Sequence, residues 1–309
     1  MPNVIKGDDI IQGTLARPEP FLGPYLAPGE TMMLYAPTGQ GKTVNALMLG
    51  IALSTGTKFY EWQVEKPMPV LFVEGGELTA TGISERMRKI YAKQGIVTDP
   101  NFHLFAPTKD NSFRFDITRK EHQNTLTDYI DSHGIKVVIF DNYNSLREEA
   151  DNEFMCWKRL EDFLSRLKTR GVSSVVVHHT NKEGRQQSGV QRKADYCDLI
   201  IRIQKSILCT KQHTYIEFEM EKFRWGEELP IQLIELVFGQ EHLDLVPVDY
   251  DKTLEASIEN DLVEYSLDYV RQKYRFLGYK LHHYVSKEVL GGDVGKRERE
   301  RLPTPRDFL

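Results

Sequence analysis

The chain has 309 residues, enough for one large domain or two of roughly 150 residues each. With 40% apolar, 28% charged and 10% aromatic residues and a net charge of −5, its composition is that of a globular protein and excludes collagen-like and wholly disordered chains. There is no run of about 18 apolar residues, and the start, MPNVIKGDD, lacks a basic region followed by an apolar core, so neither a membrane span nor a signal peptide is expected and a cytoplasmic location is.

Residues 1–30 are rich in Pro and Gly and read as an N-terminal arm with little regular structure. From residue 31 to about 225, short apolar strands alternate with longer helical stretches, which predicts an α/β domain around a mostly parallel sheet. The expected strands are 31–36, 68–74, 101–106, 135–141, 172–179 and 197–204, with helices near 42–54, 79–94, 119–132 and 152–170 between them. In the last helix Phe154, Trp157, Leu160, Phe163, Leu164 and Leu167 form the expected core stripe. Residues 214–225 alternate like a half-buried antiparallel strand, and 226–250 read as a further strand pair closing a domain over 31–250. Residues 251–309 read as a helical, basic extension. Cys156, Cys197 and Cys209 match neither a zinc nor a disulfide framework, which fits a reducing compartment.

The modest net charge conceals an asymmetry. Residues 271–309 hold ten Lys/Arg against five Asp/Glu, so the rest of the chain carries −10. A solvated extension explains a basic tail at least as well as a nucleic-acid patch does.

The sharpest motif is Ala36-Pro37-Thr38-Gly39-Gln40-Gly41-Lys42-Thr43, followed by Val44, between an expected strand and helix. It matches the phosphate loop G-x-x-x-x-G-K-[ST] with Ala36 in place of the first Gly. Gly39 and Gly41 let backbone N–H groups wrap phosphates, and the helix aims its positive end at them. Lys42 is expected on the β- and γ-phosphates of ATP and the Thr43 hydroxyl on Mg²⁺. Asp141 ends the apolar run Val137-Val-Ile-Phe and is the expected second Mg²⁺ residue. Glu74 and Glu77 compete for the role of water-activating carboxylate at the end of strand 68–74. Asp141 is followed by Asn142 and not by Glu, which places the base on that other strand, as in a RecA-like core. His178 and His179 end a further strand. Alternation sends them to opposite faces, so one of them can serve the site, and no third ligand is near in sequence for zinc.

Together these stretches, APTGQGKT, VLFVEGGELTATGISERMRKI, KVVIFDNYNSL, VVVHHTNKEG and EKFRW, resemble the RecA-like ATPases of the RepA type, hexameric replicative helicases of plasmids and phages related to DnaB-type helicases. The resemblance spans roughly residues 20–225. It implies that Glu77, nine residues before Arg86, is the catalytic glutamate with Glu74 as fallback, and that Asp141 is the Mg²⁺ acid. It further implies that His179, more than His178, senses the γ-phosphate. Lys222 and Arg224 match the family's Lys-x-Arg pair, which reaches a neighbouring subunit's ATP site. An arginine acting in trans implies a homo-oligomer, most naturally a hexameric ring. Lys182, Arg185, Arg192 and Lys193 follow the sensor and would line the channel of such a ring as a track for single-stranded DNA. The resemblance also admits replication proteins as partners and implies none with a membrane. A regulatory or loader ATPase that binds a protein partner without unwinding, or a recombinase-like filament former, would share every nucleotide-site residue.

Overall fold

A computed structural model describes residues 4–11, 13, 16–108, 115–147, 153–179, 193–210, 212–239 and 243–275. Three of the residues expected on the DNA track (Lys182, Arg185 and Arg192) and the extension beyond 275 lie outside the described residues.

The expected strands form: β1 Thr31–Ala36, β4 Val70–Glu74, β5 Phe102–Phe105, β6 Val137–Asp141, β7 Ser173–His179, β8 Leu199–Lys205, β9 Thr214–Phe223, β10 Gln232–Phe238 and β11 Leu243–Val248. They build one nine-stranded sheet in the order β11-β10-β9-β8-β1-β7-β6-β4-β5. The six strands from β8 to β5 in that order are mutually parallel, and β9, β10 and β11 continue the sheet antiparallel. The expected helices form as α2 Lys42–Thr55, α3 Ala80–Gln94, α4 Lys120–His133 and α5 Glu153–Thr169.

Two apolar clusters cover the two faces of this sheet. One joins α2 and Ile83, Met87 and Ile90 of α3 to Met32, Leu34, Phe72, Ile139 and Val177. The other joins Leu126 and Ile130 of α4, and α5, to Met33, Val73, Val138, Phe140 and Val176. Helix α2 is buried along nearly its whole length, which its near-continuous apolar sequence requires. In α5, Trp157, Leu160, Phe163, Leu164 and Leu167 are buried as expected, but Phe154 is 53% exposed. At 100° per residue Phe154 lies about 120° from the centre of the stripe, so it misses the sheet.

Three parts depart from the sequence reading. The arm carries a short helix, α1 Gly7–Ile11, and its second half is built into the core: Phe21, Leu22 and Leu26 are buried, and Arg17 is bound through two nitrogens to Glu30. Pro and Gly prevent regular hydrogen bonding there without preventing burial. A hairpin of β2 Lys58–Phe59 and β3 Trp62–Gln63 brings Phe59, Tyr60 and Trp62 against Phe218. Helices α6 Tyr250–Glu264 and α7 Leu267–Lys273 pack through Leu254, Ile258, Val270 and Tyr274 on Leu208 and Leu233, so the start of the extension is docked on the antiparallel part. Among the described residues no helix is long and apolar enough to cross a membrane.

Candidate nucleotide-binding site

The parallel register aligns four strand ends along one edge of the sheet. Ala36 of β1 pairs with His179 of β7, and Glu74 of β4 pairs with Asp141 of β6. Loops leaving parallel strands at their carboxyl ends are where such sheets hold ligands.

The phosphate loop turns directly out of β1 into α2. Gly39 and Gly41 take φ of 78° and 81°, the left-handed region open to glycine at little cost. Gly41 is the N-cap of α2 and offers no side chain, so the first turn of the helix keeps its N–H groups for an incoming anion. Lys42 Nζ donates to the Ala36 and Pro37 carbonyls at 3.0 and 2.8 Å. Burial lowers its pKa to about 8, against the opposing pull of Asp141 and Glu77. Val44 is buried behind the loop.

Asp141 is 2% exposed and takes a hydrogen bond from Thr43. Burial raises its pKa to about 6. Its Oδ2 is buried with no hydrogen-bond partner among the described residues. An unpartnered carboxylate oxygen beside a hydroxyl is a donor set that suits a Mg²⁺ ion, so the chemistry of Thr43 and Asp141 fits that cation.

The two glutamates separate clearly. Glu74 is 2% exposed, and its Oε1 accepts from the N–H groups of Gly76, Glu77 and Leu78 at 3.1, 2.9 and 3.0 Å. It therefore shapes the loop, and burial raises its pKa to about 7. Glu77 stands at the rim with its side chain 54% exposed, accepts from Asn142 Nδ2 at 2.8 Å, and lies 3.6 Å from His179 Nε2. Arg86 is close enough for its charge to lower the Asp141 pKa. Gly75 carries Asp141 and Glu77 close together: its N–H donates to the Asp141 carbonyl at 2.8 Å, and a Cβ there would sit 2.3 Å from Ser145 Oγ.

His179 faces the loop, with Nδ1 3.4 Å from Thr38 Oγ1. Burial and then Lys42 lower its pKa, which favours the neutral imidazole. His178 points the other way, into the α5 side of the sheet, with Nε2 3.1 Å from Lys193 Nζ. Lys193 is 2% exposed, so it cannot offer its ammonium to a DNA strand as the sequence suggested; the rings of Tyr143 and Trp157 enclose it.

Lys222 and Arg224, at the end of β9, both turn to residues 194–198 of their own chain. Lys222 donates to the Ala194 carbonyl at 2.7 Å, and Arg224 pairs with Asp198 at 2.8 Å and donates to the Asp195 carbonyl at 2.9 Å. Neither hydrogen-bonds to the phosphate loop of its own chain among the described residues. Asn142 is the site residue that the sequence reading passed over, although its place directly after Asp141 was the available signal.

The model of a family described as an AAA domain matches residues 4–185, more than half of the chain. Among solved structures, the flagellar accessory protein FlaH from Methanocaldococcus jannaschii is similar with a TM-score of 0.51 and 13% identity, over 71% of this chain and 90% of that one. A KaiC-like protein from Pyrococcus horikoshii OT3 is similar with a TM-score of 0.49 and 15% identity, over 75% of this chain and 98% of that one. No curated protein matches the chain in sequence. At 13% identity the likeness to FlaH speaks to the fold alone. With its phosphate loop, its mostly parallel sheet and this match, the chain belongs to the AAA-domain family of RecA-like phosphate-loop ATPases.

Proposed function

We propose that the protein is an ATP-hydrolysing, ring-forming DNA helicase of the RepA type that moves on single-stranded DNA in plasmid or phage replication. The observation that carries ATP hydrolysis in this reading is the convergence of Thr38, Glu77 and His179 at the edge of the sheet, with contacts of 3.4 and 3.6 Å to the two nitrogens of one imidazole; the motor on DNA rests on the resemblance of VVVHHTNKEG and EKFRW to the RepA type. A neutral histidine between the phosphate loop and the water-activating carboxylate is well placed to register the γ-phosphate.

In this reading the loop amides and Lys42 bind the phosphates. Thr43 and Asp141 would hold Mg²⁺, which would neutralise phosphate charge. Glu77, aimed by Asn142, orients and deprotonates the attacking water. Lys222 and Arg224 stabilise charge in the site of a neighbouring subunit, and Lys182, Arg185 and Arg192 follow the DNA backbone.

The test is ATP turnover with and without oligo(dT), beside a mass measurement with nucleotide. Stimulation by the strand together with a ring-sized mass is the expected result. A monomer whose turnover ignores DNA would overturn the motor, and stimulation by a protein partner instead would point to a regulatory ATPase.

A further inference from the structure

Strand β7 ends in two histidines whose rings lie on opposite faces, and the one turned away from the nucleotide site is held by an unusual partner. Lys193 is among the most deeply buried side chains of the protein. Its Nζ lies 3.1 Å from His178 Nε2 and 5.0 and 5.6 Å from the ring centres of Tyr143 and Trp157. The Tyr143 ring also meets the His178 ring edge-on at 5.6 Å.

An ammonium can only donate, so with Lys193 charged Nε2 of His178 is the acceptor and the ring proton sits on Nδ1, which is buried without a hydrogen-bond partner among the described residues, leaving Lys193 as the ring's one hydrogen bond there. Burial and the Lys193 charge together bring the His178 pKa down to about 3, so the ring stays neutral. Turning the imidazole away would take one acceptor from a buried ammonium, and a hydrogen bond to a charged donor counts for more in a buried place than in an exposed one. The orientation of His178 is thereby fixed, and so is the peptide that it shares with His179. Strand β1 holds the same two residues in register, Tyr35 against His178 and Ala36 against His179.

We infer that Lys193 is a positioning residue for the nucleotide sensor: by seating His178 on the far face of β7, it sets the direction in which His179 presents its ring to Thr38 and Glu77. The inference rests on the reading of His179 as the group facing the γ-phosphate. It gives Lys193 a task different from the strand contact that its place in the sequence suggested.

A double-mutant cycle tests it. Lys193→Met keeps the stem and removes the ammonium; it is expected to lower kcat about tenfold, with affinity for ADP, which lacks the γ-phosphate, unchanged within about twofold. His179→Ala is expected to lower kcat about a hundredfold, and the double variant should fall no further than His179→Ala alone, because both changes act through one ring. Lys193→Arg, which keeps a donor, should recover most of the loss. If the double variant shows the full product of the two losses, or if Lys193→Met turns over like the wild type, the inference is wrong. If Lys193→Met melts below the assay temperature, His178→Gln reads the same cycle from the other partner. A wild-type chain that binds ATP without turning it over would remove the motor reading. The cycle is then read in the ratio of affinities for a non-hydrolysable ATP analogue and ADP, where losses that multiply overturn the inference and shared losses uphold it.

Discussion

Asn142 Nδ2 donates to Glu77 Oε1 at 2.8 Å, joining the residue that follows the candidate metal-binding acid to the candidate base. Asn142 is itself 3% exposed, and its Oδ1 accepts from the N–H groups of Asn144 and Ser145, so the amide cannot swing freely. A carboxylate that is half in solvent gains its direction from that fixed donor. Asn142→Ala should lower ATP turnover about tenfold with little change in nucleotide affinity, while Glu77→Gln lowers it at least a hundredfold. Steady-state turnover beside equilibrium nucleotide binding checks both. Equal losses in the two measurements for Asn142→Ala would place it in binding instead.

Glu74 yields a prediction about pH. Its pKa is raised from 4.5 to about 7, chiefly by burial, and that of Asp141 from 3.8 to about 6. A raised carboxyl pKa means that the folded state holds the proton more tightly than the unfolded one. Stability from these groups is therefore present below the unfolded pKa and declines as pH rises, through about 7 for Glu74. Glu74→Gln keeps an oxygen for the three N–H donors and removes the ionisation. The variant should melt at the same temperature as the wild type near pH 4, below the unfolded pKa, and higher than it near pH 8. Thermal melts by circular dichroism at the two values decide this, and a variant that melts lower at pH 8 would show that the carboxylate is needed for its hydrogen bonds.

Gly75 is a steric requirement. A Cβ there would lie 2.3 Å from Ser145 Oγ and 2.8 Å from Ser145 Cβ, closer than real atoms approach. Gly75→Ala must displace the 142–146 turn, and overpacking of this kind costs about 1–3 kcal/mol. Because Gly75 also donates to the Asp141 carbonyl, the displacement should reach the nucleotide site. Adding Ser145→Ala should recover only part of the stability, since the Cβ at position 145 would still be 2.8 Å away and its backbone carbon 3.0 Å. Chemical denaturation of the single and double variants measures this.

The strand ends were legible in the sequence because each closes an apolar run whose period shows in the letters. Asp141 and His179 end their strands where expected, and Glu77 lies beside them, held by Asn142. What was not legible depends on contacts between distant segments. Lys193 reads as a surface lysine, and its burial is made by His178, Tyr143 and Trp157, which belong to three other stretches of chain. The second half of the arm reads as coil because Pro and Gly break regular pairing, yet Leu22 and Leu26 are fully buried. The hairpin around Tyr60 escaped notice because strands of two residues carry no period.

The proposed action of Arg224 across a subunit boundary can be separated from its role within the chain. Within the chain Arg224 pairs with Asp198, a carboxylate whose side chain is 3% exposed and which also accepts from Lys168 Nζ at 3.3 Å and the Thr31 N–H at 3.0 Å. Those two donors both go to Oδ2 and keep the carboxylate charge partnered, while Arg224→Ala removes the donor to the buried Oδ1, so the change should cost about 1–3 kcal/mol of stability. Its turnover should nevertheless fall about a thousandfold if the guanidinium completes a neighbour's site. Lys42→Ala should also be inactive, through loss of the phosphate-binding ammonium. Mixed rings distinguish the two causes. An Arg224→Ala subunit keeps a sound phosphate loop, a Lys42→Ala subunit keeps a sound arginine, and each boundary where the second serves the first holds one complete site. Combining the two inactive proteins should therefore restore measurable ATP turnover, rising with the fraction of mixed boundaries. If every mixture stays inactive while mass measurement shows that mixed rings form, Arg224 acts within its own chain.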